Sequence, residues 1–183
     1  MDLLTNCKIY PINILSVIDT DYILQNYPAG QDPDNPVQVD SQAARMICAN
    51  ARGAVSGEGS TDLAFKARKG DYVFFRGMSM SANSDAAIII YNVQEEDHHN
   101  IFSAFSVDEA SVEEAAEPNP EYVNGIPAAY RTADFSAIRS KVKRHGTATL
   151  TVQFGLYVLE QGQTQALYGY FQWNAKIKVE VAL

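Results

Sequence analysis

Hydrophobic and polar positions alternate most regularly at the end of the chain. In TATLTVQFGLYVLE, residues 147–160, Leu150, Val152, Phe154, Leu156 and Val158 take every second position. In NAKIKVEVA, Ile177, Val179 and Val181 alternate with Lys176, Lys178 and Glu180. A period of two marks a pleated strand with one buried face and one wet face. ALYGYFQW lies between, so three strands are predicted here. Gln161-Gly162-Gln163-Thr164 joins the first two as a hairpin, with Gly162 free to take positive φ.

Upstream, INILSVID (12–19) is apolar on both faces and predicts a strand inside a sheet. Residues 27–40 hold Pro28, Gly30, Pro33 and Pro36 and predict a long loop. Residues 45–50 fit helix or strand equally. Gly53, Gly57 and Gly59 make 51–61 a run of turns, and 62–67 is a weak strand. After the turn Lys69-Gly70-Asp71 comes YVFFR (72–76), a strong strand, and then a polar loop over 79–85. AAIIIYNV (86–93) lacks alternation and is rich in isoleucine, which predicts the most buried strand. Residues 108–122 carry Asp108, Glu109, Glu113, Glu114, Glu117 and Glu121 and close with Pro118 and Pro120. They predict a solvated loop with room for one short helix capped by Asp108. Phe135, Ile138 and Val142 fall at helical spacing and predict a short helix over 133–143.

The sum is an all-β chain: an antiparallel two-sheet β-sandwich of seven or eight strands with at most one or two short helices. No repeat of fixed period and no linker interrupts it, so residues 1–183 are expected to form one domain. A chain of this length buries about 70% of its unfolded surface and needs no disulfide or structural metal to hold a core. The net charge of −8 repels nucleic acid and anionic membranes, so neither is expected as a partner. The N-terminal stretch lacks a basic region and a small-residue cleavage site, and its apolar patch is broken by Pro11, Asn13 and Ser16. The longest dense apolar run, 86–91, falls far short of the ~20 residues that span a bilayer. These features predict a cytoplasmic location with Cys7 and Cys48 reduced, both as small core or near-core groups.

Candidate chemistry is sparse. A blue-copper site needs Cys, two His and a weak Met ligand, and no His stands near Cys48. Glu95-Glu96-Asp97-His98-His99 is the one histidine cluster, but neighbouring histidines on a strand point to opposite faces. It is expected to be a polar loop. Asp19 and Asp21 at a strand end, with Asp32, Asp34 and Asn35 in the next loop, are candidate calcium ligands. Their spacing is not that of an EF-hand, and such residues are commonly turn formers. Gly77-Met78-Ser79-Met80-Ser81 starts like a nucleophile elbow but has Ser81 where the second glycine belongs. No cofactor is implied. Arg139, Lys141, Lys143, Arg144 and His145 form a basic cluster able to meet the acidic 108–121 stretch of another copy. Tyr157, Tyr168, Tyr170 and Trp173 crowd the final hairpin and are candidate ligand-binding aromatics, able to stack on a sugar or hold subunits together.

Several segments together resemble a known family. VIDTDYI (17–23), QDPDNP (31–36), ARGAVSGEG (51–59), GDYVFFRGMSMSANSD (70–85), FGLYVLE and LYGYFQWNAKIKV (154–179) are similar to the PixA/AidA inclusion-body family of bacteria. The resemblance runs in order from about residue 12 to 181 and is weakest over 98–130. It implies a small intracellular protein, abundant enough in some members to form inclusions and linked in others to quorum-controlled or host-interaction states. It carries no catalytic residues. The founding member is methionine-rich, whereas this chain has four Met, so the likeness does not imply a sulfur store.

The expectation is a non-enzymatic, self-associating cytoplasmic protein whose partner is itself, as a homodimer or larger assembly. The alternative is a carbohydrate-binding sandwich module, with or without calcium.

Overall fold

The computed structural model describes residues 11–49, 53–161 and 164–182. Cys7, Gly162 and the N-terminal stretch up to residue 10 lie outside the described residues, as do residues 50–52.

The C-terminal alternation becomes two long strands, β10 (Gly146–Glu160) and β11 (Thr164–Val181), paired antiparallel along their whole length. β11 is one strand where two were expected. Phe171, Trp173, Ala175, Ile177 and Val179 all point inward in unbroken alternation, and no turn residue interrupts them at Asn174. β7 (Ala86–Glu95) pairs with the far side of β10. On the other side β11 takes β5 (Asp62–Ala67), which carries β4 (Ala54–Ser56), and the two-residue β2 (Val37–Gln38). This is the six-stranded sheet.

The second sheet has five strands. β1 (Pro11–Ile18) lies between β3 (Ala44–Ala49) and β6 (Tyr72–Ser79), the interior place that its apolar sequence predicts. Then follow β9 (Ala129–Lys141) and, at the edge, β8 (Ser106–Glu117). The two-sheet β architecture expected from the sequence is present, with more strands than the alternation revealed. Most pairs are antiparallel, but β1–β6, β5–β11 and β2–β11 are parallel, so both sheets are mixed.

Inward-facing side chains of both sheets make one core. Ile12, Ile14, Phe75 and Ile138 from the five-stranded sheet belong to the same cluster as Phe65, Leu150, Phe154 and Trp173 from the six-stranded one. Phe154 lies 5.4 Å from Trp173 and 5.8 Å from Phe171, ring centre to ring centre. Burying one such aromatic contributes roughly 1.5–3 kcal/mol by transfer alone.

Three further expectations differ from the structure. The one helix among the described residues is α1 (Thr20–Asn26), which the sequence pattern did not reveal. Asp19 starts it, its carboxylate accepting the Tyr22 N–H at 3.0 Å, and Ile23 anchors it in the core. Residues 86–93 form an edge strand rather than the most buried one, and Ile89 is half exposed. Residues 108–122 and 133–143 are not a loop and a helix. They pair as β8 and β9, because strand partners override the modest helical preference of an alanine-rich segment. Phe135 and Ile138 face opposite ways, so their helical spacing is coincidental.

Candidate functional site

Trp173 is only 1% exposed and packs on Phe154, so it offers no face to a ligand. Its alternation with Phe171 and Ala175 places it on the core side of β11. The expectation that it stacks on a sugar is corrected on that ground. Tyr168 is half-buried, stacked on Phe171, with its hydroxyl 3.4 Å from the Tyr27 carbonyl oxygen. Tyr170 and Tyr157 do reach the outer face of the six-stranded sheet. Tyr170 meets Tyr91 edge-on at 5.8 Å, and Tyr157 folds back over Gly155.

Tyr91 was not singled out from the sequence. Its hydroxyl donates to the Pro33 carbonyl at 2.8 Å, which lays the proline-rich loop on the sheet. Burial pushes its pKa up to about 12, helped by Tyr170, Asp34 and Asp32. Beside it the amides of Asn92, Gln153 and Gln172 bond in a ladder across three strands, at 2.8 and 3.0 Å.

The four candidate metal ligands fall in two places. Asp19 caps α1, and with Asp21, Ser81 and Asp85 it lines a hollow of about 280 Å³. Asp32 accepts the Asp34 N–H at 3.0 Å as an Asx turn and sits near Tyr91. Among the described residues no three His, Cys, Asp or Glu side chains converge as a metal site. The proposed set of Asp19, Asp21, Asp32 and Asp34 is therefore not one site, because α1 and the proline-rich loop carry its halves to separate places.

Glu95, Asp97 and His99 organise a turn. The Glu95 carboxylate accepts the N–H groups of Ile101 and Phe102 at 3.1 and 3.3 Å. Asp97 accepts the Thr149 N–H at 2.9 Å and lies 3.3 Å from His99. The serines of the elbow-like segment are spent on the β6–β7 corner, where Ser79 Oγ accepts the Asn83 N–H at 2.9 Å. The basic cluster divides. Arg139 and Lys141 lie on the outer face of the five-stranded sheet, while Arg144 and His145 approach the carbonyl oxygens of Asn100 and Ala67.

The largest feature is the β8–β9 hairpin. β6 pairs with β9 only from Phe75↔Ile138 to Tyr72↔Lys141, so β9 before residue 138 is hydrogen-bonded to β8 alone. No residue of β8 is buried, and none of β9 before Ala137. The tip is tied by hydrogen bonds between Asn119 and Gly125 and between Tyr122 and both. The hairpin is thus an arm of two strands with both faces wet. Seven of the fourteen exposed large hydrophobic residues are on it: Val107, Val112, Tyr122, Val123, Ile126, Tyr130 and Phe135. Phe135, 52% exposed, stands opposite Ala110, and Val112 opposite Ala133, giving one apolar stripe. An ion pair closes each end, Asp108–Arg139 at 2.9 Å and Glu117–Arg131.

The comparisons agree with this fold. The family model described as "PixA: Inclusion body protein" matches residues 10–179. A crystal structure of an inclusion body protein of the same family from Burkholderia cenocepacia J2315 is similar, with a TM-score of 0.82 and 29% identity, covering 98% of this chain and 100% of that one. No curated protein matches.

Proposed function

The chain belongs to the PixA family of inclusion body proteins, and from that premise we propose that it is a non-enzymatic protein that accumulates by self-association in the cytoplasm. One observation carries the reading: the projecting β8–β9 arm, which exposes half of the large hydrophobic side chains found at the surface of the described residues. A two-stranded hairpin packed on nothing is marginally stable in water. Apolar side chains gathered on such an element gain free energy when a partner covers them, by about 25 cal/mol for each Å² removed from water. The loop bonding of Ser79, Glu95 and Asp97 supports the non-enzymatic side, since these groups are used in holding turns. No helix among the described residues is long and apolar enough to cross a membrane.

Sedimentation velocity across a wide concentration range tests this. The expected result is a species heavier than the 20.1 kDa chain, growing with concentration. A single sedimenting species of that mass at every concentration would sink the reading.

A second reading, a carbohydrate-binding surface, is favoured by the Tyr91–Tyr170 pair with Asp32 and Asp34 beside it. Its polar atoms are mostly spent on the protein itself, which ranks it below self-association. A glycan array, run with and without Ca²⁺, that stays blank would remove it.

A further inference from the structure

Resting on the self-association proposed above, we infer that the β8–β9 arm of one copy docks on the outer face of the five-stranded sheet of a second copy, reciprocally about a twofold axis.

The outer face of that sheet is the receptor. Register puts Leu15 beside Arg76, Val17 beside Met78, Phe74 beside Arg139, and Tyr72 beside Lys141. The aromatic rings lie half-exposed with cations over them. Arg76 is 5.3 Å from the Phe74 ring centre, and Lys141 is 4.8 Å from that of Tyr72. Ile47 extends the surface on β3, beside Arg45 on the same face. The outward positions of β1, β3 and β6 among the described residues thus combine apolar groups with Arg45 and Arg76 and hold no carboxylate.

The arm is its complement. Residues 106–136 carry Asp108, Glu109, Glu113, Glu114, Glu117, Glu121 and Asp134 against Arg131 alone. Most of the chain's net charge of −8 therefore sits on this element. Its apolar stripe of Ala110, Val112, Ala133 and Phe135 lies on the same side of the sheet as Arg139 and Phe74. Arm and receptor are thus two ends of one continuous outer face, apolar at both, with the arm acidic as an element and the receptor basic.

That layout decides between partners. Two arms lying along each other edge to edge would bring their glutamates together, and like charges repel. Two sheets stacked outer face to outer face, head to tail, place each acidic arm over the other copy's basic end. The twofold axis then passes near Ala137, where the arm begins. Such a contact is isologous and closes at two copies. It covers both wet apolar stripes at once. It also steers encounter by charge, so it weakens with added salt.

Complementation between two variants tests the arrangement, with sedimentation as the readout. One variant, V112E/F135E, disables the arm. The other, R76E/K141E, disables the receptor. Circular dichroism and thermal unfolding confirm that each is folded, as expected where none of the four side chains is buried. The inference expects each variant alone to dimerise at least about thirtyfold more weakly than wild type. It expects the mixture to form heterodimers, because one intact arm then meets one intact receptor. A receptor variant that still dimerises like wild type while the arm variant does not would overturn it in favour of arm-on-arm contact. So would a mixture no more associated than its components. Wild-type dimers with both variants equally dimeric would overturn the inference and leave self-association standing. A monomeric wild type would remove both.

Discussion

Asp108 and Arg139 form a 2.9 Å ion pair where the β8–β9 hairpin leaves the body of the sandwich. Both side chains are about a third or more exposed, and exposed pairs contribute little. Asp108→Asn should change the unfolding free energy by no more than about 1 kcal/mol in urea titration. A loss of several kcal/mol would mean that the arm is part of the cooperative core.

Stability should instead track the inner layer. Phe154 is fully buried between Phe171 and Trp173, and Phe154→Ala should cost about 3–5 kcal/mol. Phe135→Ala, on the exposed arm, should stay within about 0.5 kcal/mol of wild type under conditions where the chain is monomeric. Denaturant midpoints for the two variants check the contrast, and equal losses would refute it.

The connection from α1 to β3 carries a pH-dependent contact. The Asp40 carboxylate accepts the Gln42 N–H at 2.7 Å and the Tyr22 hydroxyl at 2.8 Å, which hold its pKa below the ordinary carboxylate value. A group with a lowered folded pKa stabilises the fold above its unfolded pKa, and that contribution is lost as pH falls through the folded value. Tyr22 shifts the opposite way, up to about 12, because its hydroxyl bonds to Asp40. Its contribution is complete below the ordinary tyrosine pKa and is lost as pH rises through about 12. The stability gap between wild type and Asp40→Asn should therefore be present at pH 7 and shrink in acid below the carboxylate range. Unfolding series at stepped pH report it, and a gap that widens on acidification would contradict it.

Gly169 and Gly30 let the proline-rich loop lie directly on β11. A Cβ on Gly169 would sit 2.8 Å from the Gly30 nitrogen and 2.9 Å from its oxygen, while the Tyr170 N–H donates to the Gly30 carbonyl at 2.8 Å. Backbone cannot yield as a side-chain end can. Gly169→Ala should cost about 1–3 kcal/mol and loosen the loop. Gly77→Ala, whose Cβ would meet side-chain atoms of Ile88 and Ile90 first rather than backbone, should cost less. Thermal unfolding of the two variants checks the order.

What the sequence made legible follows from its periodicities. Leu150 to Val158 and Ile177 to Val181 alternate because one face is core, and that alternation alone identifies the sheets. INILSVID showed β1 as an interior strand because it is apolar on both faces. The arm could not be read so. It buries nothing, so no inside-outside pattern was imposed on 106–117, and its carboxylates resembled a loop. Trp173 was misplaced because an aromatic run gives no parity until the strand is known to continue through Asn174. Tyr91 was hidden in an apolar run, and its link to Pro33 spans 58 residues. The one trace of the arm was charge: residues 108–121 stand out as acidic in a chain whose basic residues cluster at 139–145.

Amide hydrogen exchange of the unmodified protein at low and high concentration tests self-association through the arm most directly. In the single chain the arm packs on no further layer, so its hydrogen bonds open by local unfolding, and covering its face slows that opening. Exchange across residues 106–136 should slow markedly at high concentration, while β10 and β11 exchange at the same rate in both samples. Equal protection of the arm at both concentrations, in a sample shown to be associated, would contradict the account.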